Sequence, residues 1–228
     1  MPTHDSGRIL ARRAFFSKFG VTLVGGAAAG AAAGGNTVPL QAQTTDAKWQ
    51  AARHPQDDWY DQIPGRHRFV FDAPYPDGIS SALQFLNNYY NLSSSEYGLH
   101  DDELASILVA RHQSTMFGYG DAVWAKYGKP ISDRINFLDP KTKQPPTANL
   151  YKDRLDGLIK RGLRLAVCQQ ATRGNAGAIA MAMGLKQDDV FEELKANLLP
   201  NARLVPVGIL AVNRAQEHGY VLSVSERA

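Results

Sequence analysis

The chain has 228 residues, 44% of them hydrophobic and 21% charged, with one cysteine and a formal net charge of +3 at pH 7. A single cysteine excludes an internal disulfide and a cysteine-built structural zinc site. Of 25 basic and 22 acidic residues, four basic (Arg8, Arg12, Arg13, Lys18) and one acidic (Asp5) fall in 1–42. The rest of the chain is therefore balanced and makes no electrostatic case for nucleic acid.

Residues 11–18 read ARRAFFSK, a soft run of Gly, Ala and Val covers 19–34, and then comes Pro39-Leu40-Gln41-Ala42. A basic start, an apolar middle and a small residue at a cut site make an export signal. Adjacent arginines followed by two phenylalanines and a lysine look like a twin-arginine (Tat) signal, an address read by the Tat translocase. The expectation is cleavage near Ala42, a periplasmic product and no stable membrane anchor. The run is shorter than the roughly 20 residues a spanning helix needs, and its glycines weaken it as a helix. Residues 43–65 are polar, with Trp49, Trp59 and Tyr60, and read as an N-terminal arm lying on the domain. His54, Asp57, Asp58 and His67 match no metal-ligand spacing, so no metal or cofactor is assigned.

The domain is expected over 66–228. Phe69-Val70-Phe71 makes the first core strand within 66–73, and Pro74, Pro76 and Gly78 make a turn. Ile79, Leu83, Leu86 and Tyr90 share one helix face. Residues 103–109, ELASILV, give a second strand ending at Ala110-Arg111-His112. Gln113, Ser114 and Thr115 are helix-start material, and a helix is expected over 116–127, closed by Gly128. The Pro-rich segment 129–149 is too long for a plain connection and reads as an insertion, a lid or partner loop near the strand ends. Leu155, Leu158 and Ile159 mark the next helix, which Gly162 caps.

Leu163, Leu165, Ala166 and Val167 form a short apolar run, the pattern of a buried parallel strand, and it ends at Cys168. Gly174 and Gly177 read as a turn, followed by a small-residue helix over 176–183 in which Met181 and Met183 serve as core filler. Gly174-Asn175-Ala176-Gly177 lacks both the P-loop ending and a full G-x-G-x-x-G. Asp188 and Asp189 suit the positive end of the next helix, with Glu192 and Glu193 on its solvated side. Residues 203–209, RLVPVGI, give a fourth strand in which Pro206 favours an edge or a bulge. A short helix covers 210–218, and 220–224, YVLSV, a last strand. Alternating strands and helices predict an α/β domain of three layers, α/β/α, with about five mostly parallel strands.

Ligand and catalytic groups of open α/β sheets gather at the carboxyl ends of the strands. Cys168 and His112 both fall there. A free cysteine often packs as a small apolar side chain, yet an unpaired cysteine in an exported protein implies intermolecular pairing or a reactive thiol.

Several segments resemble the DsrE/DsrF-like family. Asn197-Leu198-Leu199-Pro200, Leu204-Val205-Pro206-Val207-Gly208 and Arg214-Ala215-Gln216-Glu217-His218-Gly219-Tyr220 are similar to its closing pattern. Leu165-Ala166-Val167-Cys168 matches the strand that ends in its cysteine. Ala82-Leu83 with Asn87, Asn88 and Asn91 resembles its first helix, and 109–112 its second strand, where many relatives carry His-Gly and this chain has His112-Gln113. The resemblance spans roughly 66–224; the arm and 129–149 depart from it.

The resemblance implies sulfur handling: a persulfide carrier or sulfurtransferase-like relay, working with a sulfur donor or acceptor protein or a small thiol, and forming homo-oligomers. In this reading Cys168 is the persulfide-bearing nucleophile. Backbone amides after it, His112 as thiolate partner and Arg173 as a nearby cation would stabilise the thiolate. His112 as a structural histidine and Arg173 as a solvated turn residue stay open. So do a non-catalytic domain of the same fold that binds a small ligand or metal, and an assembly subunit with a core cysteine.

Overall fold

The computed structural model describes residues 50–225. The expected export signal and the first residues of the arm lie outside the described residues. Five strands form one all-parallel sheet: β1 (His67–Ala73), β2 (Leu104–Ala110), β3 (Arg164–Cys168), β4 (Ala202–Val205) and β5 (Val221–Val224), in the order β4-β3-β2-β1-β5. Side chains alternate across each strand. Phe71, Leu108, Leu165 and Val167 face one way, and Val70, Ile107, Val109 and Ala166 the other.

On the first face pack α1 (Pro76–Tyr97), α2 (Asp121–Ile135), α3 (Lys152–Lys160), α4 (Gln169–Met183) and α5 (Gln187–Ala196). On the second lies α6 (Gly208–Glu217), with the 3-10 turn Pro55–Tyr60 beside it. The fold is the expected three-layer α/β/α arrangement. The described part of the arm, 50–65, is pinned by aromatics. Tyr60, 1% exposed, donates to Ala211 O at 3.0 Å, and the Tyr220 hydroxyl donates to Tyr60 O at 2.8 Å.

Several boundaries differ from the sequence reading: the helix expected from Met116 begins at Asp121, after a 3-10 turn over His112–Gly118, and the strand expected over 203–209 ends at Val205. Gly128 does not close α2; the helix runs through Pro130 to Ile135 and ends at Asn136 in the left-handed region. Gly128 lies so close to the Pro146 carbonyl that a Cβ would strike it. The glycine signals a close approach, and the first third of the expected insertion is helix. The far end of the insertion is stapled down: the Asn149 amide donates to Phe117 O at 2.9 Å and Tyr119 O at 2.8 Å. Pro145, Pro146 and Thr147 of the segment line a second cavity with Trp124 and Met183, while Arg134 and Ile135 in its helical part line a cavity with Cys168 at the strand end.

Gly174 and Gly177 form no turn either, because α4 begins directly after Cys168. Met181 and Met183 are not core filler, being 84% and 43% exposed. Pro206 stands just past β4, which is an edge strand, where its missing N–H costs no ladder bond.

Candidate functional site

The connection after β3 runs through α4 on one face of the sheet, and the connection after β4 through α6 on the other. Neighbouring strands whose connections part to opposite faces open a crevice beyond their carboxyl ends. A cavity of about 600 Å³ lies there, lined by Cys168 from β3, by Arg111 and His112 after β2, and by Val207 and Gly208 after β4. Gln170 N–H donates across the crevice to Pro206 O at 3.3 Å.

Cys168 is 5% exposed and is the N-cap residue of α4. Its backbone is extended (φ −69°, ψ 110°), and its Sγ accepts the Ala171 N–H at 3.4 Å. The first amides of a helix have no partner within it and favour negative charge, so a thiolate here is placed to be stabilised. The floor is fixed by a buried chain. The Thr172 hydroxyl donates to Cys168 O at 2.8 Å, and the Tyr119 hydroxyl lies 2.7 Å from Thr172 Oγ1. Burial, with the nearby Cys168 charge adding to it, raises the Tyr119 pKa far above its ordinary value, so its hydroxyl stays protonated.

Arg111 is the first cation of the wall. Its Nε and Nη2 donate to the two carboxylate oxygens of Asp72 at 2.7 and 2.8 Å, and Asp72 is 3% exposed. This bidentate bond raises the Arg111 pKa, burial opposes it, and the Asp72 and Cys168 charges raise it further. The Arg111 stem lies under Gly208, where a Cβ would collide with it; a glycine at the start of α6 lets the helix close over the guanidinium. Arg134, near the end of α2, is the second cation, and its Nε donates to Asn175 Oδ1 at 2.7 Å. Among the described residues no carboxylate lines the cavity.

His112 lines the cavity with Cys168. No hydrogen bond joins the two among the described residues. The ring stands edge-on to Tyr75, with centroids 5.4 Å apart at 83°. The backbone of His112 is left-handed (φ 55°), and Gln113 is not among the positive-φ residues. The turn therefore strains His112 and leaves Gln113 free to carry a side chain.

Arg173 is not brought to the thiol. Its guanidinium sits 4.0 Å from the centre of the Phe191 ring, on the α5 side of α4, and it does not line the cavity. Five residues beyond Cys168 is about 140° around the helix from it, so nearness in sequence does not become nearness at the site. Arg111 and Arg134 take the place expected of Arg173.

Arg111 was within reach of the sequence, being one residue before His112 at a strand end. Arg134 was hidden by reading Gly128 as the end of α2. Among the described residues no group of three His, Cys, Asp or Glu side chains could hold a metal, and no helix is long and apolar enough to cross a membrane.

No family model matches the chain, and no curated protein matches it. Among solved structures it is similar to a protein of unknown function from Methanobacterium thermoautotrophicum, at 18% identity with a TM-score of 0.40. That match covers 70% of this chain and 99% of the other.

Proposed function

We propose that the protein is an exported, DsrE-like persulfide carrier in which Cys168 takes up sulfane sulfur and hands it to a partner thiol. One observation carries the reading: the only thiol of the chain caps a helix inside a cavity that, among the described residues, is walled by two arginines and no carboxylate. The resemblance to DsrE/DsrF-like proteins over 66–224, and the Tat-like segment before it, supply sulfur handling and a periplasmic site of action. The partners in this reading are a sulfur donor or acceptor protein or a small thiol, and further copies of the chain.

The Cys168 thiolate attacks the outer sulfur of a persulfide R–S–SH, and a new S–S bond forms as the old one breaks. The leaving thiolate keeps the bonding electron pair and takes the proton of the outer sulfur, giving R–SH and Cys168–S–S⁻. An acceptor thiolate then removes the outer sulfur in the same way and regenerates the cysteine. The Ala171 N–H and the start of α4 stabilise the anion at each stage.

A second reading, a ligand-binding domain without covalent chemistry, is favoured by the low exposure of Cys168, 5%. Intact mass decides between them. Wild type and Cys168→Ser are exposed to polysulfide. A carrier gains one sulfur atom that a thiol removes, and the variant gains none. No gain by folded wild type contradicts the relay and leaves the binding domain.

A further inference from the structure

The wall of the cavity carries information about the donor. A lone sulfur atom or small inorganic ion needs little more room than a water molecule, about 30 Å³ in the liquid, whereas a cavity of about 600 Å³ matches organic ligands. The charges on the wall are unequal. Asp72 neutralises Arg111 with a bidentate pair. Arg134 pairs with no carboxylate among the described residues; its one directed bond is to Asn175, 4% exposed, which fixes the guanidinium at the cavity edge. Gly174 leaves room for it, since a Cβ there would come within 3.1 Å of Arg134 Nη2. Val207 and Ile209, 39% and 57% exposed, line the same cavity, as do Gln113 and Gln170.

We propose that the sulfur donor is a low-molecular-mass organic persulfide bearing a carboxylate. The carboxylate sits on Arg134, the carbon chain runs along Val207 and Ile209, and the outer sulfur meets Cys168. The proposal rests on the persulfide reading and adds the donor class to it. The transfer is the same balanced exchange, with R the carboxylate-bearing body: the Cys168 thiolate bonds to the outer sulfur, and R–SH leaves with the electron pair and the proton. Arg134 is the binding residue, and Asn175 positions it.

The test uses glutathione persulfide and the persulfide of glutathione diethyl ester, which lacks both carboxylates. Sulfur loading on Cys168 is followed by intact mass in wild type, Arg134→Gln and Arg134→Lys. A charge-assisted bond to a carboxylate predicts that wild type takes sulfur from the acid about ten times faster than from the ester. In Arg134→Gln the ratio falls to about one, and Arg134→Lys keeps part of it. Equal rates in wild type, or a ratio that Arg134→Gln leaves unchanged, overturn the proposal while the relay stands.

Calorimetric binding of S-methylglutathione, which cannot donate sulfur, separates the two failures. Binding by wild type that Arg134→Gln loses, with no loading from either donor, overturns the relay and the donor role together and leaves a carboxylate site. Loss of binding by Arg134→Asn as well as Arg134→Gln, with binding kept by Arg134→Lys, is the result expected.

Discussion

At the residue scale the site depends on one buried ion pair. Asp72 is 3% exposed and is paired with Arg111, whose side chain is 25% exposed. Removing one partner of such a pair leaves an uncompensated charge, which costs about 3 kcal/mol. Arg111→Met is therefore expected to lower unfolding stability by about that much in urea; an unchanged midpoint contradicts the assignment. Gly208→Ala should act on the same contact from the other side, because the added methyl meets the stem of Arg111 rather than its flexible end.

Cys168 and His112 were legible in the sequence because both end apolar runs, and strand ends are where parallel sheets expose side chains. The pairing of Arg111 with Asp72 was not legible. It depends on β1 and β2 lying side by side in register, with Asp72 opposite Val109.

At the element scale the main misreading concerns glycine. Gly128 reads as the end of a helix and Gly174 and Gly177 as a turn, yet all three lie inside helices. Each marks a place where another group comes close: the Pro146 carbonyl, the Arg134 guanidinium and the Gln187 side chain. One sequence signal, a glycine among helix formers, serves both purposes, and only packing separates them.

The two purposes predict opposite stability effects. Gly174→Ala comes within 3.1 Å of Arg134 Nη2, a side-chain end that yields a few tenths of an ångström while Nε keeps its bond to Asn175, so helix propensity decides, and stability rises by about 0.5–1 kcal/mol. Gly128→Ala meets backbone and should lower stability by about 1–3 kcal/mol. Thermal denaturation of the two variants checks both signs. Likewise Met181, 84% exposed, should tolerate Met181→Gln within about 0.5 kcal/mol.

At the scale of the whole molecule the alternation of strands and helices sufficed for the layers, and the carboxyl-end rule for the neighbourhood of the site. The crevice itself arises because the connection after β4 turns back along the opposite face to reach β5 at the far edge, which no single segment encodes. The arm closes that opposite face through Asp61, whose carboxylate accepts from Arg68 at 2.8 Å and lies 2.9 Å from His218 Nδ1. Burial works to raise the Asp61 pKa, but the bonds from Arg68 and His218 prevail and lower it. Bonds from Lys126 and then Tyr127 lower that of Glu193.

A lowered carboxylate pKa stabilises the fold above its unfolded value, near 4, and that stability is lost as pH falls through the folded value. The gap in melting temperature between wild type and Asp61→Asn should thus be widest near neutral pH and close below about pH 4. A gap that widens on acidification contradicts this.

The central claim is that Cys168 is an accessible thiol in a cationic cavity of the folded protein. Its alkylation rate by anionic iodoacetate, divided by the rate with neutral iodoacetamide, tests this most directly, with free cysteine and the urea-unfolded chain as references. The account predicts that the native protein reacts and that its ratio exceeds both references. Alkylation only after unfolding, or a native ratio no higher than that of free cysteine, would contradict it.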